Sequence, residues 1–232
     1  MLPQERVVTG ITSNAKRPGR FAIEVDDKAL ATLTLDVIER FGLRVGGQLD
    51  EVTADSIVKE GQLLRTFDRA VGMLATRARS ARELQRRLIQ KGEPEEAANA
   101  TIERLIVSGF LNDGSYARQF ARARMTGAGI ARRRLKQELV RKGVAGDIAE
   151  HAISEMVTDD AVDEDAILER VARKKLRSLS AADEVTKRRR LFGFLARRGY
   201  DVADIQRVMR EILAASAGTA SCDSSSGFGL SE

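Results

Sequence analysis

The sequence predicts a mainly α-helical protein: three tandem three-helix repeats forming an elongated, curved array, preceded by a small strand-rich N-terminal segment. Three observations carry this. From about residue 64 to 214 apolar residues recur at helical spacing almost without a break, and the 232-residue chain holds only three prolines. Three glycines in that stretch, Gly92, Gly143 and Gly199, each close the same local pattern. The first fifty residues instead alternate with a period near two and carry turn-forming clusters.

Within the N-terminal segment, RVVTGITS (6–13), RFAIEVDD (20–27) and KALATLTL (28–35) are three short strands, separated by NAKRPG and by the DD turn. They form a small antiparallel sheet. LDVIERFG (35–42) places Val37, Ile38 and Phe41 on one helical stripe and ends in glycine. LRVGGQLDEVTADSIVKEG (43–61) then resumes with a turn and another short helix.

Superimposing the three glycines exposes the repeat, and a repeat decides the fold before any single element does. Leu84, Leu88 and Lys91 precede Gly92; Leu135, Leu139 and Lys142 precede Gly143; Leu191, Leu195 and Arg198 precede Gly199. Beyond each glycine, apolar residues recur ten, thirteen and fourteen positions on: Ile102, Leu105, Ile106; Ile153, Met156, Val157; Met209, Ile212, Leu213. A further helix precedes each glycine and opens its unit, marked by Phe67 and Val71, Tyr116 and Phe120, Ile167 and Val171, so that each unit has three helices. A Lys/Arg-Gly pair suits a helix C-terminus, where glycine takes positive φ without steric cost and a cation meets the negative end of the dipole. Pro94, Glu95 and Glu96, with Asp147 and Asp201 at matching places, suit the start of the next helix. A unit this small buries little alone, so neighbours stack and share a core. The expected organisation is residues 1–61 for the strand-bearing segment, 62–109, 110–158 and 159–214 for repeats one to three, and 215–232 for a disordered serine-rich tail.

Charge divides unevenly. Residues 62–214 carry 31 basic and 22 acidic side chains, whereas residues 1–61 carry 8 and 10. A positive middle favours a polyanionic partner, nucleic acid or an acidic protein assembly. No apolar run approaches a membrane span, and MLPQERVV lacks the layout of a signal peptide, so a cytoplasmic protein with no membrane association is expected. Cys222 stands alone in the tail, and no Cys/His spacing for zinc exists. His151 has no second histidine or cysteine beside it; the acids of DDAVDED (159–165) suit a helix start better than a metal; RVGGQ (44–48) lacks the Lys-Ser/Thr of a phosphate loop. No catalytic, cofactor-binding or metal-binding residue is assigned, and the protein is read as no enzyme. Tyr116, Phe120, Phe110 and Leu111 are assigned to packing.

The run RRRLKQELVRKG (132–143) is an amphipathic helix with Leu135 and Leu139 on one edge. Alone it would be a solvated helix face, with Glu138 placed four residues before Lys142 for an ion pair. The same helix is basic in all three repeats: Arg82, Arg86, Arg87 and Lys91 in the first, and Lys187 to Arg190 with Arg197 and Arg198 in the third. Solvation does not require that three times. A phosphate track or an acidic protein groove does.

RARSARELQRRLIQKG (77–92), GFLNDGSYARQFARARM (109–125) and RRRLKQELVRKGV (132–144), in this order and spacing, resemble the RecX family, the regulators of the bacterial recombinase RecA. The resemblance covers about 64–214; it is weakest in the third unit, at FGFLARRGYD, and the tail lies outside the family pattern. It implies three tandem three-helix repeats and a regulator of recombination, DNA repair and the SOS response. Such a protein binds RecA filaments on single-stranded DNA, lies in the filament groove, and modulates ATP hydrolysis, strand exchange and coprotease activity, most often by inhibition. No catalytic residue or cofactor comes with the family. The expected polar contacts are Arg86, Arg87, Lys91, Arg132, Arg133, Lys136, Arg188 and Arg189. The expected partner is the RecA filament, with single-stranded DNA touched indirectly or weakly and the protein acting as a monomer. The alternatives are a helical-repeat protein that binds DNA directly, or an interaction scaffold unrelated to recombination.

Overall fold

The computed structural model describes residues 6–15, 17–159 and 162–220. The chain divides into two compact units, Met1–Asn112 and Asp113–Glu232.

In the first unit, strands β1 (Arg6–Ser13), β2 (Phe21–Val25) and β3 (Lys28–Leu33) pair antiparallel, with Ile11 opposite Ile23 and Phe21 opposite Leu33. Asp26 and Asp27 join β2 to β3 with φ of 49° and 60°. Consecutive left-handed residues match the right-handed twist of a tight hairpin, and aspartate tolerates that conformation. Helix α1 (Leu35–Arg40) follows, with Ile38 buried and Val37 and Phe41 packed beside it, before Gly42 turns at φ 59°. The sheet has a fourth strand, β4 (Gln48–Leu49), which pairs with β1 and gives the order β3-β2-β1-β4. A two-residue strand offers no periodicity to read, which is why three strands were expected.

The next element also departs from expectation. The short helix and the first repeat's opening helix are one: α2 (Glu51–Thr76), 26 residues or about 39 Å long. Gly61 does not end it. It sits mid-helix facing β3, where an added Cβ would lie 2.8 Å from Ala31 Cβ. Ile57 joins the sheet core of Val8, Ile23, Val25, Leu33 and Leu49, while Ala70 joins the core of the first repeat. One rigid rod thus ties sheet and repeat together. Helices α3 (Ala81–Gln90) and α4 (Glu95–Val107) complete the repeat, closing on Leu84, Leu88, Ala98, Ile102, Leu105 and Leu111.

The second unit holds the other two repeats. Helix α5 (Asp113–Arg122) runs into a π-helical turn at Ala123–Gly127, then come α6 (Arg132–Arg141) and α7 (Gly146–Asp159). Helices α8 (Glu164–Arg177), α9 (Glu184–Arg197) and α10 (Val202–Ala220) form the third repeat. Helix α10 runs six residues past 214; Cys222 and the rest of the tail lie outside the described residues. Ile167 and Val171 of α8 pack on the core of the second repeat, so these two repeats share apolar surface.

The glycine register holds in geometry. Gly92, Gly143 and Gly199 have φ of 85°, 94° and 88°, each directly after the C-cap of its helix. The six leucines before them are all at 0% exposure. In the third helices Leu105, Met156 and Ile212, thirteen past the glycine, are buried, and so are Ala98, Ala149 and Ile205, six past, which the pattern does not include; Ile106, fourteen past, is the exception at 50% exposure. In the first helices, Val71 is 39% exposed and Ala70 is the buried residue. Phe110, expected in the core, is 70% exposed, while Tyr116 and Leu111 are buried and Phe120 stacks on Tyr116 at 6.1 Å.

Candidate partner-binding surface

The basic side chains ride on the second helix of each repeat, and each helix is fixed at both ends. Ser80 accepts from the Glu83 amide at 3.1 Å to start α3, and Asp183 from the Thr186 amide at 2.8 Å to start α9. Helix α6 has no side-chain cap and no acid in its first turn. Its first residues, Arg132, Arg133 and Arg134, stand at the positive end of the dipole, where cations are unfavourable; Arg132 and Arg134 have acidic partners there, and Arg133 has none among the described residues. The Ala131 amide there donates to the Arg198 carbonyl at 3.0 Å, docking α6 on the end of α9.

The eight expected contact residues all lie on the surface, in two different states. Arg86, Arg87 and Lys91 on the first repeat are exposed and form no ion pair among the described residues. Arg133, Arg188 and Arg189 are likewise exposed and unpaired. Arg132 is held by Glu164 of α8 and Lys136 by Glu150 of α7, whose carboxyl the hydrogen bond from Lys136 holds below its ordinary range. Exposed pairs of this kind contribute little to stability, and they occupy both cations with structural work. The lysine expected to pair with Glu138, Lys142, places its ammonium over the Phe120 ring at 5.2 Å.

Glu138 is a buried carboxylate that the periodicity did not single out. Burial pushes its pKa up, but hydrogen bonds from Arg134 and Arg124 at 3.0–3.2 Å, with their charges, outweigh that and leave it lowered. The same Arg134 guanidinium donates to the Arg197 carbonyl, so one ion-paired cluster links the π-helical turn, α6 and α9. Arg198 lies over Phe194 at 4.3 Å, and burial lowers its pKa. These are packing arginines.

What the fold does concentrate is a cationic patch in the third repeat. Lys175, Arg189, Arg190 and Arg197 surround Gly193, in a depression of about 330 Å³. Arg197 also borders a second depression of about 360 Å³, lined by Arg133, Arg134, Gln137 and Tyr200. Burial pushes the Tyr200 hydroxyl up to about 12, so it stays a neutral hydrogen-bonding group. Arg133, Arg189, Arg190 and Arg197 have no ion-pair partner among the described residues. Four uncompensated guanidiniums on adjoining depressions suit a phosphate or carboxylate lattice. Lys175 was missed because it belongs to α8, where RKKLR reads as the ordinary basic end of a helix.

Elsewhere the chemistry is sparse. His151 is exposed and 3.2 Å from Glu155. Asp163 caps α8, while Glu164 and Asp165 pair with Arg132 and Arg207. Among the described residues no three His, Cys, Asp or Glu side chains are grouped to hold a metal, and no helix is long and apolar enough to cross a membrane.

A strand-bearing segment followed by three glycine-registered three-helix units defines a helical-repeat protein. The models of the first, second and third three-helix domains of RecX match residues 67–105, 112–153 and 163–209. The chain belongs to the RecX family. It is 38% identical over 141 residues to the regulatory protein RecX of Amycolatopsis mediterranei, covering 61% of this chain and 79% of that one. It is 27% identical over 207 residues to the regulatory protein RecX of Clostridium perfringens strain 13, covering 88% and 95%. A crystal structure of regulatory protein RecX shares the fold, with a TM-score of 0.72 at 20% identity over 88% of this chain and 99% of the other.

Proposed function

We propose that this protein binds RecA filaments assembled on single-stranded DNA and restrains them, lowering their ATP hydrolysis, strand exchange and coprotease activity, as a cytoplasmic regulator with no catalysis of its own. Family membership supports the regulatory role, and the observation that carries the contact is the uncompensated arginine patch formed by Arg133, Arg189, Arg190 and Arg197. A filament presents phosphates and acidic protein side chains together. Guanidiniums recognise both by paired hydrogen bonds, without reading base sequence.

Among the expected contacts, Arg86, Arg87, Lys91, Arg133, Arg188 and Arg189 are the stronger candidates, because each can meet a partner without breaking an existing pair. Arg132 and Lys136 must first release Glu164 and Glu150.

Fluorescence anisotropy with a labelled single strand, bare and coated with the cognate RecA, tests this. Tighter binding to the coated strand is expected. Equal binding to the bare strand, falling with salt at about −0.7 per phosphate neutralised on a log-log plot, would favour direct DNA binding instead. No binding to either would refute both readings.

A further inference from the structure

The third repeat differs from the other two at a pair of equivalent positions. Seven residues before and seven after the register glycine, the first repeat has Gln85 and Asn99, joined by a hydrogen bond between α3 and α4. In the second repeat these positions are Lys136 and Glu150, joined by an ion pair between α6 and α7. In the third they are Phe192 and Gln206, and both border an open groove of about 1020 Å³. A polar bridge has been exchanged for an aromatic floor.

Leu176, Phe192 and Met209 pack only partly on the core of the repeat and, with Leu213, turn their remaining apolar surface into this groove. Helix α9 lengthens one wall: at 14 residues it is four longer than α3 or α6, and its added first turn carries Glu184 and Lys187, paired at 2.8 Å. Arg177, Arg188 and Arg210 stand on the rim, exposed and without an ion pair among the described residues. Phosphates gain nothing from a floor of leucine, methionine and phenylalanine. An amphipathic helix with apolar residues at i, i+3 or i+4, and i+7, flanked by carboxylates, satisfies floor and rim together.

We infer that this groove is a docking site for a short acidic amphipathic helix of a protein partner. Arg188 is shared with the filament reading, but the inference does not depend on that reading.

The test uses the full chain and a fluorescein-labelled peptide of about four turns, with leucines on one stripe and glutamates elsewhere, beside a twin in which every glutamate is lysine. Anisotropy should show binding of the glutamate peptide and none of its twin. Phe192→Lys/Gln206→Glu recreates the bridge of the second repeat and should weaken binding at least about tenfold. Arg177→Glu/Arg210→Glu, on exposed positions, should weaken the glutamate peptide similarly and admit the lysine one; it carries the test if circular dichroism shows the first variant misfolded. Equal binding of both peptides, or no effect of the rim variant, would overturn the inference. So would single-stranded DNA binding that is lost in Phe192→Lys/Gln206→Glu, since the groove would then belong to nucleic acid. RecA enters none of these measurements, so failure of the filament proposal leaves the result readable.

Discussion

Gly92 and Gly199 hold the same place in their repeats, with φ of 85° and 88°, yet their surroundings differ. A Cβ added at Gly92 meets nothing within 4 Å; one added at Gly199 falls 2.7 Å from Arg134 Cβ and 3.1 Å from the Arg134 amide nitrogen. Substitution by alanine therefore separates two effects. At Gly92 only the left-handed backbone resists, at about 1–2 kcal/mol. At Gly199 the same cost is joined by a clash with the first turn of α6, adding about 1–3 kcal/mol because backbone cannot swing aside as a side-chain end can. Gly199→Ala should cost about 2–5 kcal/mol, a large part of the stability of an ordinary domain. Urea unfolding followed by far-UV circular dichroism measures the loss, and native-state hydrogen exchange assigns it to its unit. Equal losses at the two sites, or a greater one at Gly92, would refute the claim that Gly199 admits α6 to the end of α9.

A second pair of glycines lies in α2: Gly61→Ala should destabilise by about 1–3 kcal/mol through its contact with Ala31, whereas Gly72→Ala, in open space, should stabilise by about 0.4–1 kcal/mol in the same unfolding assay. Because the folded Glu138 carboxyl titrates below its ordinary value of 4.5, the native state gains from its ionisation. The stability gap between the wild-type chain and Glu138→Gln should be constant above pH 4.5 and shrink as the pH falls below it, measured by thermal unfolding across acid pH. Arg189→Glu/Arg190→Glu should weaken filament binding by about tenfold or more, while Lys136→Gln, which breaks an internal pair, should shift it by less than about threefold; filament anisotropy reads both.

The repeat architecture was legible because its marks are backbone requirements. A lysine or arginine followed by glycine signals a left-handed C′ residue wherever a helix ends, and all three glycines adopt it. Leucines at i and i+4 before it could face only inward. The third helices were harder, since one of their buried sites is alanine in two repeats, and Ala98 and Ala149 look no more apolar than the exposed alanines around them. Ile106 and Val71 fit an apolar stripe by spacing but fall on its solvent edge. Gly61 read as a stop because glycine in a helix interior is costly, and only the nearness of β3 explains it. For the surface, the sequence showed that the second helices are basic. Which cations are free depended on acids far along the chain: Glu164 lies 32 residues from Arg132, and Glu150 14 from Lys136. The groove of the third repeat was hidden in FGFLARRGYD, where an unusual phenylalanine read as a weak family match.

Restraint of a recombinase filament is read most directly from single-strand-dependent ATP hydrolysis by the cognate RecA. Added at amounts stoichiometric with RecA, the wild-type chain should lower the rate, and Arg189→Glu/Arg190→Glu should lower it far less. An unchanged rate with the wild-type chain would contradict the proposed function.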